Sequence, residues 1–218
     1  MKQTLNRNPV NLYLLALGPA LALLCSCAST SVEKTWKAPD YQAGPLTKLA
    51  VLAVDDGPGV RRGFENRFAN QIQKSGATAS TTFNLISLPE INKDKPAAAA
   101  RIRETGAEAL VIIRLVDASS SYREMRPGAE RYTETITGMG TGYWYDYYSV
   151  AFMDMGATYG SLKQKVFLET GVFDLKTAKR LWAGTTKTVV TESMDRAEEA
   201  DNIVSKVVAA MQKDGVLP

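Results

Sequence analysis

Lys48-Leu-Ala-Val-Leu-Ala-Val54, followed by Asp55-Asp56-Gly57, is the stretch that decides the fold. The run after Lys48 is apolar at every position, so it has no face to offer water. It reads as a short strand buried on both sides in the middle of a sheet. A helix is expected from about Val60, because Phe64, Phe68 and Ile72 recur at i, i+4 and i+8 and Gly76 supplies a stop. A second strand is expected near Ala77–Thr82. Pro96 can open a further helix that runs through Ala97–Ala100 to Thr105 and ends at Gly106. Ala109-Leu-Val-Ile-Ile-Arg-Leu-Val116 is then a third strand, extending toward Tyr122. Such a βαβαβ unit pairs its strands in parallel through right-handed crossovers.

Downstream the texture changes. Residues 126–160 are rich in Gly, Thr, Tyr and Met and show no helical period, so they read as a flexible insert. Lys163–Leu175 and Arg180–Val190 flank the turn Lys176-Thr-Ala-Lys179 and predict an antiparallel hairpin. Asp195-Arg-Ala-Glu198 resembles a capping box with Asp as the cap. It precedes an apolar stripe of Ala200, Ile203, Val204, Val207, Val208 and Met211 that ends at Gly215. The order βαβαβ-β-β-α predicts a single α/β domain over residues 48–214, with a mixed β-sheet and helices packed on it.

Upstream, residues 1–26 have the parts of a secretory signal. Lys2 and Arg7 give a cationic start, and Val10–Leu24 is apolar. Fifteen helical residues would rise about 22 Å, short of the roughly 30 Å of bilayer hydrocarbon, and Gly18-Pro19 would break that helix. A cleaved signal fits better than a permanent span. The segment ends in Leu24-Cys25-Ser26-Cys27, which resembles the bacterial lipobox. The resemblance implies cleavage before Cys27 and acylation there, a membrane anchor made of several acyl chains. It also implies sorting: with Ala28 rather than aspartate after the cysteine, the outer membrane is the expected destination, with the domain facing the periplasm. Residues 27–47 then read as the lipidated cysteine and a tether.

Composition narrows the function. The signal removes two of the 26 basic residues and none of the 23 acidic ones, so the remaining chain carries a net charge of +1. No long basic run is interleaved with aromatics, and no nucleic-acid contact is expected. The chain has no histidine. That excludes Ser-His and Cys-His nucleophile pairs and every His-based metal site. Once Cys27 is a thioether no free thiol is left, which suits an oxidising envelope. Ser31-Val-Glu-Lys34 matches Ser-x-x-Lys without its companion motifs and reads as chance.

Two stretches stand out as candidate contacts. Asp55–Arg62 (DDGPGVRR) sits where a strand enters a helix, the place where α/β folds bind anions. Arg61 and Arg62 in a first turn oppose the helix dipole, as if an anion or partner were expected. Against that, the dinucleotide and Walker patterns are incomplete and two carboxylates would repel phosphate, so the loop also reads as a plain turn with a capping Asp. The second stretch is Tyr143-Trp144-Tyr145-Asp146-Tyr147-Tyr148 behind Gly138-Met-Gly-Thr-Gly142. Tyr143, Trp144, Tyr145, Tyr147 and Tyr148 could form a partner-binding surface, since Tyr and Trp dominate contact hot spots. They could equally be a hairpin whose alternate rings pack inward. Met153-Asp-Met155 offers too thin a ligand set for copper and reads as packing, as does Trp182. No metal or cofactor is expected.

Taken together, the lipobox, Trp36-x-x-Pro39, the Leu49–Val54 strand, Thr105-Gly-Ala-Glu-Ala-Leu-Val111, the Gly/Tyr-rich insert, Asp174-Leu-Lys-Thr-Ala-Lys-Arg-Leu-Trp182 and the closing helix look like uncharacterised envelope lipoproteins of Gram-negative bacteria. More distantly, the element order is similar to outer-membrane lipoprotein activators of peptidoglycan synthases, the curli-secretion lipoprotein and the amino-terminal domain of the Tol-system translocation protein. The resemblance implies a non-enzymatic adaptor with an envelope protein as partner. A peptidoglycan- or small-ligand-binding module is the alternative, and hydrolysis by Asp55 or Asp56 lacks a base–nucleophile pair.

Overall fold

The apolar run forms β2 (Lys48–Val54), and from Leu49 onward every residue of it is buried. A computed structural model describes residues 30–117, 143–145, 148, 164–190 and 195–218. β2 is interior because it is paired on both sides. β4 (Ala109–Asp117) runs parallel on one side and β3 (Thr78–Thr81) parallel on the other. β5 (Gln164–Asp174) continues the sheet antiparallel to β4, and β6 (Arg180–Val190) pairs antiparallel with β5. The six strands lie in the order β1-β6-β5-β4-β2-β3, where β1 is Thr30–Lys37. The architecture is a single mixed α/β domain, as the element order predicted.

Alternation along β2 and β4 divides the core in two. Leu49 and Val51, with Ala109, Val111 and Ile113, face α1 (Pro58–Lys74) and α4 (Arg196–Lys213) through Phe68, Ile72, Val204, Val207 and Met211. Ala50, Leu52 and Val54, with Leu110 and Ile112, face α2 (Leu88–Lys93) and α3 (Lys95–Arg103) through Leu88, Ile91, Ala98 and Ile102. Helix ends follow the local chemistry. Pro58 sits in the first turn of α1, and Gly76 follows its end at φ +96°, a conformation that costs glycine little. Asp195 caps α4 by accepting from the backbone N–H of Ala197 and Glu198.

Two elements depart from the sequence reading. Thr30–Lys37, placed in the tether above, is an edge strand antiparallel to β6, with a bulge between Val32 and Lys34. It holds because its polar side chains find partners. Thr30 is buried, with its hydroxyl 2.8 Å from that of Thr188 and also bonded to Glu199. Lys37 Nζ donates to the Asp214 carbonyl at 2.8 Å. The other addition is α2, opened by a complete capping box in which the Ser87 hydroxyl accepts from the Glu90 N–H and the Glu90 carboxylate accepts from the Ser87 N–H.

The hairpin carries two glycines shielded by aromatic rings of their own strands. A Cβ at Gly171 would lie 2.5 Å from the Phe173 ring, and one at Gly184 would overlap the Trp182 ring. Trp182 cannot yield easily, because it is fully buried and its Nε1 donates to Asp214 Oδ2 at 2.8 Å. Gly184→Ala is therefore expected to cost about 1–3 kcal/mol through overpacking, read as a lower urea midpoint with an unchanged m-value.

Candidate functional site

The loop between β2 and α1 is organised by its own carboxylate. Asp55 Oδ1 accepts the Gly57 N–H at 2.8 Å, so this amide already has a partner. Burial raises the Asp55 carboxyl above the usual range, and neighbouring Asp56 adds to the rise against the Gly57 hydrogen bond. Neither glycine of Gly57-x-Gly59 adopts positive φ. The Asp55–Gly57 bond braces the loop, but Asp55 is not the cap expected from the sequence: the N-cap of α1 is Gly57, and no side chain caps the helix.

Arg61 corrects the expectation of an outward basic pair. Its side chain is buried: Nε donates to Glu65 Oε1 at 2.8 Å, and Nη2 donates to Thr82 Oγ1 at 3.1 Å and to the Ile86 carbonyl at 2.9 Å. Glu65 is fully buried and also accepts the N–H groups of Ala53, Thr82 and Phe83 at 3.2, 2.6 and 2.8 Å. Arg61 therefore belongs to the framework. Arg62 stays exposed, with its guanidinium 5.0 Å from the centre of the Phe83 ring.

The aromatic cluster divides in the same way. Trp144 and Tyr148 are 0% exposed and pack among Leu88, Ile91 and Phe173 in the core facing α2 and α3. They are not available to a partner. The backbone is helical at Trp144, Tyr145 and Tyr148. The Trp144 and Tyr148 rings meet edge to face at 6.4 Å between centres, and the Tyr148 hydroxyl donates to the Leu88 carbonyl at 2.6 Å. Burial raises the Tyr148 phenol well above its ordinary value, against the opposing charge of Arg61. Tyr145 is half-buried, its ring centre 4.4 Å from that of Trp144. Tyr143 is 46% exposed and bridges to Lys179 in the turn between β5 and β6. Tyr147, Met153 and Met155 lie outside the described residues.

That turn is the support on which Tyr143 rests. Asp174 Oδ1 accepts from the N–H groups of Lys176 and Thr177 and from the Thr177 hydroxyl. Ala178 is held at φ +62°, unusual for a residue with a Cβ, and its carbonyl accepts the Trp144 N–H at 2.9 Å. Among the described residues no group of three His, Cys, Asp or Glu is placed to hold a metal ion. No described helix is long and apolar enough to cross a membrane.

The class that these features define is a mixed α/β domain whose buried charges serve the framework. No protein-family model matches the chain, and no curated protein does. Among solved structures, a PelC dodecamer from Paraburkholderia phytofirmans is similar at a TM-score of 0.47 and 11% identity, over 84% of this chain and 97% of that one. The lipoprotein GNA1162 from Neisseria meningitidis is similar at a TM-score of 0.39 and 14% identity, over 78% and 99%. Likeness of this degree fixes neither a family nor an activity.

Burial predicts how the aromatics respond to truncation. Trp144→Ala is expected to cost about 3–5 kcal/mol in chemical denaturation. Tyr143→Ala should stay within about 0.5 kcal/mol of the parent. The raised Tyr148 phenol gives a pH dependence with a definite sign. Its contribution is fully present below the ordinary phenol pKa of about 10 and is lost as pH rises through the folded value. Stability should therefore fall on the alkaline side, and less steeply in Tyr148→Phe, as followed by thermal melts across that range.

Proposed function

We propose that this chain is a lipid-anchored, non-enzymatic accessory protein of the outer membrane. It presents its α/β domain in the periplasm to an envelope protein partner. The observation that carries the reading is Leu24-Cys25-Ser26-Cys27 at the end of an apolar segment, with Ala28 as the next residue. The domain's buried ion pairs have framework roles on this reading: Arg61–Glu65 fastens α1 to the strand end and loop beside it, and Arg114–Glu169 joins β4 to β5. The contact centres on exposed Tyr143 and the adjoining turn. Buried Trp144 and Tyr148 support that surface from below.

The anchor is tested by mass spectrometry of the amino-terminal peptide and by fractionation. Cys27→Ser should move the protein from the membrane fraction to the soluble one. The partner is tested by photo-crosslinking in intact cells from a reactive residue at position 143. A discrete protein adduct is expected. Adducts confined to cell-wall fragments would instead favour the peptidoglycan-binding module.

A further inference from the structure

We infer that the domain lies directly on the lipid bilayer in one orientation, with the end of the sheet that carries Thr30, Val60 and Val189 against the lipid surface. The inference rests on lipidation of Cys27 as proposed above. Only Ala28 and Ser29 separate that cysteine from the first residue of β1. Three Cα–Cα steps of 3.80 Å span at most about 11 Å. A free tether of twenty residues would have let the domain stand away from the membrane, but most of that stretch is committed to the fold. Thr30 in particular is buried, paired with Thr188 across the edge of the sheet and bonded to Glu199 in the first turn of α4.

The register then says which parts of the domain face the lipid. Beside the start of β1 lie the end of β6 and the start of β5, where Val190 pairs with Gln164. β2 and β4 run toward the same end, since Val54 pairs with Arg114 and Arg114 with Glu169. The first turn of α1, which follows β2, therefore lies there too, as does that of α4. The large apolar side chains left exposed among the described residues are Val60 at 49%, Val189 at 42% and Tyr143. Both valines are at this end. Tyr143 is at the other, beside the turn that closes β5 and β6. The eleven residues of β5 separate the two ends by about 36 Å.

Among the described residues the exposed charges at this end are of both signs, with Arg62 against Asp56, Asp195 and Glu198. A surface attracted by anionic headgroups would be basic and would let go in salt. Here the short covalent link imposes the geometry, and the two valines meet the interface as a result. The same constraint turns Tyr143 away from the membrane, toward the space where a periplasmic partner would be met.

The test uses the full lipidated protein in vesicles of phosphatidylethanolamine and phosphatidylglycerol that contain a lipid with a nitroxide near its headgroup. Val60→Cys, Val189→Cys and Lys176→Cys each receive one thiol-reactive fluorophore at an exposed position. Labels at 60 and 189 should be quenched and the label at 176 should not, with no change on raising salt. A flexible Gly/Ser insert of about twenty residues between Ser29 and Thr30, with a root-mean-square reach of about 25 Å, should relieve the quenching while the protein still floats with the vesicles. Equal quenching at the three positions, strongest quenching at 176, or quenching that survives the insert would overturn the inference and leave the anchor standing. A chain that does not float with vesicles would remove the anchor itself.

Discussion

The buried carboxylate of Glu65 holds the first half of the domain together. It projects from α1 into the point where β2 and β3 end, and it accepts from Ala53, Thr82, Phe83 and Arg61. A carboxylate so deeply buried survives only if its charge is matched and its lone pairs are filled. Here the filling groups come from β2, the loop after β3 and the helix itself. One side chain thus fixes how α1 lies against the sheet. It also explains why Arg61, placed in a first turn where the helix dipole disfavours a cation, is kept there. The favourable contact with Glu65 one turn on, together with Thr82 and Ile86, outweighs a dipole term of roughly 0.3–1 kcal/mol.

A second buried pair does similar work across the centre of the sheet. Arg114 Nε and Nη2 both donate to Glu169 Oε2, at 2.9 and 2.6 Å, across the register between β4 and β5. The parallel half of the sheet meets the antiparallel half at that boundary. A charge pair there penalises slippage, since a shift of one residue would send each charge to the opposite face without its partner. Specific polar contacts therefore fix the two places where the topology could go astray, while the apolar alternation of β2 and β4 supplies the bulk of the burial.

Much of this was legible in the sequence, and the reasons for the exceptions are physical. β2, α1, β4, the hairpin and α4 announce themselves because burial demands a period in the residues that are buried. β1 gives no such signal: an edge strand pairs on one side only, and Thr30, Ser31, Glu33 and Lys34 look like linker until their partners on β6 and α4 are known. The six residues of α2 are too few for a period, although Ser87 and Glu90 spell out its cap. For the aromatics the inward-packing reading holds at Trp144 and Tyr148, but not the extended backbone that went with it. Inward packing of these two fits either period, since residues four apart share a face in strand and helix alike; the backbone at Trp144, Tyr145 and Tyr148 is helical, not extended. Arg61 could have been placed from its separation of four from Glu65, but nothing in the sequence says that Glu65 is buried.

The edge position of β1 has a mechanical consequence. A pull on the chain ahead of Thr30, opposed by a load at the far end of the domain, acts along the axis of β1. The hydrogen bonds to β6 run across that axis, so such a pull loads the whole ladder from Thr30 to Lys37 in shear rather than opening it one bond at a time. At the far end of the strand, Lys37 is bonded to the Asp214 carbonyl and Ala38 to Leu181, so the strand is also fastened where the force leaves it. The fold thus takes tension in the direction in which β-sheets resist it best.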